Sequence, residues 1–174
     1  MTNIITLEIM NLYSLNKILI TGAKGYIGSF LVKYLTGKGY KTIGFTGNLN
    51  DIKELPDCNL IIHCAGRRLA KGVTISDFVR DNVTATINLT KLANGKPIIY
   101  LSTKAVYVFK PYGITKLLGE FVLNQEYNNS VILRLPKIID GRTEPENIEH
   151  AISIGLENLG DWIIETINSL PVKN

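Results

Sequence analysis

Short apolar runs alternate along this chain with stretches whose apolar residues recur at helical spacing. Ile18, Leu19 and Ile20 form a continuous apolar run, the pattern of a strand buried on both faces. Similar runs recur at 41–46 (KTIGFT), 59–63 (NLIIH), 97–102 (PIIYLS) and 130–135 (SVILRL). Between them lie three amphipathic stretches. Phe30, Leu31, Tyr34 and Leu35 mark a helix over 26–36, stopped by Gly37 and Gly39. Phe78, Val79, Val83, Ile87, Leu89 and Leu92 mark one over 76–93, capped by Ser76 and ended by Asn94-Gly95. Leu117, Leu118, Phe121, Val122 and Leu123 mark a third over 112–126. A short helical turn is expected over 52–55, capped by Asp51 and stopped by Pro56, and two further helices over 146–154 and 160–169. Residues 1–16 are compatible with an added strand, a cap or a disordered arm.

Strands alternating with helices imply right-handed crossovers and a parallel sheet covered on both faces. The expected fold class is therefore α/β, a three-layer, Rossmann-like, doubly wound parallel sheet of about five strands. Its ligand belongs outside the carboxyl ends of the strands, where the topology switches direction.

The glycines sharpen this picture. Directly after the first strand comes Gly22-x-x-Gly25-x-x-Gly28, and the first helix follows at once. Gly22 permits the tight turn, Gly25 a close approach of backbone to pyrophosphate, and Gly28 close packing of helix on strand. Free N–H groups at the helix start then face the phosphates. An ordinary strand–helix turn uses the same residues, but the strand–turn–helix context favours a dinucleotide site. Cys64–Gly66 and Ser102–Thr103 follow later strands and converge on the same crevice.

Composition adds limits. The 174 residues make one domain of ordinary size, with 45% hydrophobic and 20% charged residues, as in a soluble globular protein. The net charge of +4 comes from scattered Lys and Arg, which suits anionic ligands but is no nucleic-acid footprint. No apolar run is long enough for a membrane span, and the start of the chain, with Glu8, does not read as a leader. Cys58 and Cys64 fit no metal spacing and are expected as buried or half-buried free thiols in a reducing cytosol.

Tyr112 and Lys116 are four apart at the start of the third helix, hence on one face. An ammonium beside a phenol favours the phenolate and brings its pKa toward the working range. Ser102 and Thr103, at the end of the preceding strand, could hold a substrate oxygen beside that phenol. A surface Tyr and Lys on an amphipathic helix is the plain alternative. The preceding Ser-Thr strand end and the glycine turn favour the chemical one.

Six segments, in order over residues 17–141, resemble the extended short-chain dehydrogenase/reductases of the NAD-dependent epimerase/dehydratase family. They are TGAKGYIG, HCAG, NVTATINL, YLSTKAVY, YGITKLLGE and LRLPKIIDG. YLSTKAVYVF is also similar to the dTDP-4-dehydrorhamnose reductase branch. The resemblance implies an NAD(P)-binding domain over 17–141, an N-terminal extension over 1–16 and a short helical tail over 142–174. It implies Tyr112 as acid/base, Lys116 as the lysine that binds the nicotinamide ribose and tunes it, and Thr103, with Ser102 beside it, at the catalytic Ser/Thr position. The cofactor-binding set it implies is Gly22, Ala23, Lys24, Gly25, Tyr26, Ile27, Gly28, Asp51, Ile52, Cys64, Ala65, Gly66, Leu101, Tyr112, Lys116, Leu135, Pro136 and Lys137. Asn82 matches a helix asparagine with an at least partly structural role.

Four departures from the family pattern shape the expectation. The second strand ends in Phe45-Thr46-Gly47-Asn48 without the acidic residue that binds the adenosine ribose, and Lys24 stands near, so NADP(H) is slightly preferred to NAD(H). One strand–helix unit is missing before the third strand. The loop 108–111 is short. Little of the C-terminal substrate domain follows Gly141. Lys104 and Ala105 stand where dehydratases carry Glu and Asp, which counts against that activity.

The expectation is a cytoplasmic NAD(P)-dependent oxidoreductase or epimerase. Hydride transfer would take place at a sugar-like carbinol or ketone, with a nucleotide sugar as substrate. No metal, nucleic-acid or membrane partner is expected, and helices 76–93 and 112–126 would form a homodimer. The alternative is a non-catalytic NAD(P)-binding module, or a subunit whose substrate site a partner chain completes. An NmrA-like redox sensor is a third reading, against which Tyr112 and Lys116 argue.

Overall fold

A computed structural model of the protein describes residues 15–138 and 153–171. The apolar runs become β1 (Lys17–Thr21), β2 (Lys41–Phe45), β3 (Leu60–His63), β4 (Ile98–Thr103) and β5 (Ser130–Leu135). All pair in parallel, in the order β2-β1-β3-β4-β5. The chain starts at β1, steps to β2 on one side, and crosses to β3 on the other. The switch of direction therefore falls between β1 and β3, where Thr21 is paired with His63.

Successive strand residues point to opposite faces, and both faces are covered. Ile18 and Ile20 pack with Leu31 and Leu35 of α1 (Tyr26–Gly37) and with Leu159, Ile163 and Ile167 of the last helix (Leu156–Ser169). Leu19, Ile61, Ile98 and Tyr100 face the other layer. There they meet Ala85, Leu89 and Ala93, and Leu123 of the helix Pro111–Glu126. The result is the expected three-layer Rossmann-like α/β sheet of five strands.

The expected helix over 76–93 is built in three pieces. α2 (Ile75–Phe78) is capped by Thr74, not Ser76. Thr74 is extended, its hydroxyl accepts from the Asp77 N–H, and the Asp77 carboxylate accepts from the Thr74 N–H, a complete capping box. A π-helical stretch, Val79–Thr84, follows, in which the Ala85 N–H donates to the Arg80 carbonyl five residues back. α3 (Ala85–Ala93) then runs to Asn94, which adopts the left-handed conformation. Pro111–Glu126 is α4, with Pro at its first turn, and Leu156–Ser169 is α5.

Two further expectations fail. Residues 52–55 form no helix. The Asn48 side chain instead accepts from the Asn50 N–H and donates to Asp51 at 2.7 Å, a local turn that competes with helix formation. Ser153–Ile154, expected as the end of a helix over 146–154, is a short strand, β7, paired in parallel with β6 (Lys137–Ile138). The remainder of that expected helix, and residues 1–14, lie outside the described residues. No helix among the described residues is long and apolar enough to cross a membrane.

A methyl group at Gly28 would lie 2.3 Å from the Gly22 carbonyl oxygen, backbone that cannot yield. At Gly37 nothing lies within 4 Å. Gly28→Ala is therefore expected to cost about 1–3 kcal/mol in a denaturant titration, whereas Gly37→Ala stays within about 1 kcal/mol of the parent.

A crevice at the carboxyl ends of the strands

A crevice of about 540 Å³ opens where β1 and β3 end. One wall is the turn from β1 into α1. Gly22 has φ +68°, and a Cβ there would come within 2.7 Å of the Ala65 backbone. The Gly25 N–H closes the turn onto the Gly22 carbonyl at 2.8 Å. Gly25 also caps α1 without a side-chain hydrogen bond, so the first-turn N–H groups of the helix have no capping oxygen from that residue. Gly22, Gly25, Tyr26, Ile27 and Gly28 all line the crevice. This bare, amide-rich turn is the shape and polarity that a pyrophosphate requires.

The other expected residues divide. Cys64, Gly66, Leu101, Ser102, Thr103, Tyr112, Lys116, Leu135, Pro136 and Lys137 line the crevice. Ala23, Lys24, Asp51, Ile52 and Ala65 do not. The Ala23 N–H is drawn to the Phe45 carbonyl at 3.1 Å, and Lys24 is exposed. Asp51 is held in the Asn48 turn, Ile52 packs under the sheet, and the Ala65 N–H turns back to Thr21. Three lining residues were not expected: Arg68, Leu69 and Ile138. Two of them belong to an irregular loop after β3, where no periodicity marks a functional position.

Two side chains have other partners than the sequence suggested. Ser102 donates a short hydrogen bond to Glu120, whose carboxylate is 3% exposed and gripped by Arg134 at 2.6 Å. Arg134 also donates to the Tyr107 hydroxyl at 2.6 Å. The Ser102 hydroxyl proton is thus committed to Glu120, not offered to a ligand, because β4–β5 pairing sets Ser102 against Arg134. Lys116, 4% exposed, runs inward beneath α4, its ammonium 3.9 Å from the centre of the Tyr100 ring. Burial pulls its pKa down to about 7, while Cys64 and Glu120 work against that shift.

Tyr112 stays at the crevice, packed at 6.4 Å on the ring of Phe78. Burial raises its phenol above the usual tyrosine value; a hydrogen bond with Thr103 and the charge of Arg68 act in the opposite direction. Sequence spacing pointed to Lys116 as the charge that tunes this phenol. The charge of Arg68 also bears on this phenol, while Lys116 lines the same crevice with its ammonium over the Tyr100 ring. Thr103 also accepts from the Ala105 N–H at 3.1 Å, which fixes its hydroxyl at the head of the turn Lys104–Tyr107.

The loop after β3 is pinned from behind. Asn82, buried in the π-helical stretch, accepts from the Arg67 N–H and donates to the Arg67 carbonyl and the Thr115 hydroxyl, both at 3.0 Å. This role is structural. Cys58 and Cys64 are free thiols, and burial pushes Cys64 up to about 12, so it stays protonated.

Residues 18–162 match the NAD dependent epimerase/dehydratase family. A decarboxylating sterol-4-alpha-carboxylate 3-dehydrogenase of Dictyostelium discoideum is 23% identical over an alignment of 117 positions that covers 55% of this chain and 34% of that protein. The chain thus spans about a third of the length of this curated relative. Among solved structures, an NAD-dependent NDP-hexosamine 5,6-dehydratase of tunicamycin biosynthesis is similar with a TM-score of 0.75 and 18% identity, covering 90% of this chain and 73% of that one. A dTDP-4-dehydrorhamnose reductase from Bacillus anthracis, in complex with NADP, gives 0.71 and 18%, covering 88% and 71%. These structural likenesses carry the fold, and the sequence match carries the kinship. The chain belongs to the NAD dependent epimerase/dehydratase family.

Proposed function

We propose that this protein binds a nicotinamide dinucleotide in the crevice and acts as an oxidoreductase or epimerase on a sugar-like carbinol or ketone. The observation that carries the reading is that Thr103 and Tyr112 line one crevice together with the bare Gly22–Gly28 turn. The residues fit the cofactor: the glycines leave room for a pyrophosphate, and Lys116, Leu135 and Pro136 line the same crevice and would hold a nicotinamide ribose. Bound there, the dinucleotide supplies hydride transfer.

The protein's own part is proton handling and positioning. Thr103 holds the substrate oxygen beside the phenol. Tyr112 gives that oxygen a proton or takes one from it, and its pKa matters because a phenol near 10 is otherwise a weak acid and base at neutral pH. Arg68 favours the phenolate. Among the described residues the lining contains Arg68, Lys116 and Lys137 but no Asp or Glu, which suits phosphate-bearing ligands and supports a nucleotide sugar as substrate. Phe45 to Asn48 present no carboxylate where an adenosine ribose would lie, and this supports a preference for NADP(H).

The second helix layer supports self-association. Ile114, Leu117, Leu118 and Phe121 form one exposed apolar stripe along α4, with Phe121 60% exposed. A homodimer through α4 and the α2–α3 segment would cover it.

Three outcomes test these readings. NADP(H) titration should give saturable binding that Gly25→Asp abolishes, while Tyr112→Phe keeps the affinity and lowers turnover of a nucleotide-sugar substrate about a hundredfold or more. Turnover unchanged in Tyr112→Phe sinks the catalytic assignment. Arg68→Gln should raise the phenol pKa, so the rise of the oxidation rate with pH moves to higher pH; an unmoved profile removes Arg68 from the mechanism. In sedimentation, the parent should run as a dimer and Phe121→Glu as a monomer, and a parent that is monomeric at every concentration disposes of the interface.

A further inference from the structure

Behind the crevice runs a buried line of polar groups that nothing in the proposed chemistry uses. The Ala65 N–H donates to Thr21 Oγ1 at 3.2 Å, and Thr21 Oγ1 lies 2.7 Å from His63 Nδ1. On the other side of the ring, His63 Nε2 lies 3.1 Å from Thr86 Oγ1, which donates to the Asn82 carbonyl at 2.8 Å. Thr21, His63 and Thr86 are fully buried, so water cannot complete any of these bonds.

Following the protons along this line, past the Tyr100 hydroxyl that also meets Thr86, one direction leaves every group of the line satisfied. The single Thr86 proton points at the Asn82 carbonyl, an acceptor only, so toward His63 the Thr86 oxygen accepts. His63 Nε2 must then carry hydrogen. A neutral ring leaves Nδ1 bare, and the Thr21 hydroxyl donates to it while its oxygen accepts from Ala65. The opposite direction would leave the Thr21 proton with no acceptor among the described residues, and no proton between Thr86 and Asn82. A doubly protonated ring fails at Thr21 for the same reason. Burial agrees, holding the imidazole down to about 3, with the nearby Lys116 charge acting the same way.

We propose that His63, fixed as the neutral Nε2–H tautomer, is a positioning residue that sets the direction of this relay and so seats the Cys64–Gly66 loop against the Gly22 turn for the dinucleotide. The dinucleotide half of this statement rests on the cofactor reading above. The relay governs the Ala65 end of the loop, and the Asn82 side chain governs the Arg67 end. Both trace to one residue, since the Asn82 carbonyl is also where the relay terminates.

The first test needs no cofactor. The chain has two histidines, so His150→Gln leaves His63 alone in a long-range ¹H–¹⁵N spectrum at neutral pH. The expected pattern is a protonated Nε2 and a bare Nδ1; the other tautomer, or an imidazolium, overturns the proposal. The second test divides the relay. His63→Asn keeps an acceptor at the Nδ1 position, toward Thr21, and His63→Gln keeps a donor at the Nε2 position, toward Thr86. The expected result is an Ala65 amide that exchanges with solvent about tenfold faster in His63→Gln and within about threefold of the parent in His63→Asn. NADP(H) affinity should fall in the same order. Equal effects of the two variants on Ala65 exchange overturn the relay. Failure of the parent to bind NAD(H) or NADP(H) overturns the cofactor reading and with it the dinucleotide half of this proposal; the tautomer and the exchange ratio still decide the relay itself.

Discussion

The closeness of two backbones at the switch point constrains everything around it. Parallel pairing brings Thr21 and His63 side by side, so the segments leaving β1 and β3 start about one strand spacing apart. One turns up into α1 and the other toward α2. Where they part, a side chain on Gly22 would collide with Ala65, and a side chain on Gly28 would collide with Gly22. Three small residues thus let a helix, a turn and a loop meet at a point where any larger residue would force the elements apart. The crevice is the space left over when they do meet.

Around that point the molecule separates two kinds of polar group. Those facing the crevice are cationic or weakly acidic: Arg68, Lys137, Tyr112, Thr103. Those behind it are saturated with partners: Glu120 with Ser102 and Arg134, His63 with two threonines, Asn82 with Arg67 and Thr115. Buried polar groups that are fully paired hold one geometry, because every alternative leaves a donor or acceptor without a partner. The front carries the charge of Arg68 and Lys137, while the back keeps the strand ends and helix starts in register. Lys116 belongs to both. Its side chain is buried against Tyr100, yet it lines the crevice.

Much of this was legible in the sequence, for identifiable reasons. Strands buried on both faces announce themselves as unbroken apolar runs, as β3 does with Leu60, Ile61 and Ile62, all buried. The glycine turn is legible because its spacing is a steric requirement. Features that depend on side-chain competition or on tertiary register were not. Asn48 captured the backbone that Asp51 was expected to cap. Thr74, four residues before the first apolar position of the periodicity, outcompeted Ser76 because only it has Asp77 three residues on. The Ser102–Glu120–Arg134 cluster is set by the pairing of β4 with β5, which no local pattern encodes. The common helix face of Tyr112 and Lys116 was correctly inferred from their spacing. That the lysine ammonium sits over the Tyr100 ring cannot be seen in a spacing.

The π-helical stretch Val79–Thr84 bears on how this family member tolerates insertion and deletion. Such a stretch is an α-helix carrying one surplus residue, and each residue of an α-helix turns the chain by about 100°. Removing one residue there would restore an unbroken α-helix. The price is rotation of the whole capped segment Ile75–Phe78, together with the loop before it, about the helix axis relative to α3. Phe78 would leave Tyr112, and Asn82 would no longer face both Arg67 and Thr115. The surplus residue is therefore a phase setting between two halves of one helix. In lineages that share this crevice it should be retained as a length constraint, even where the residues within it vary.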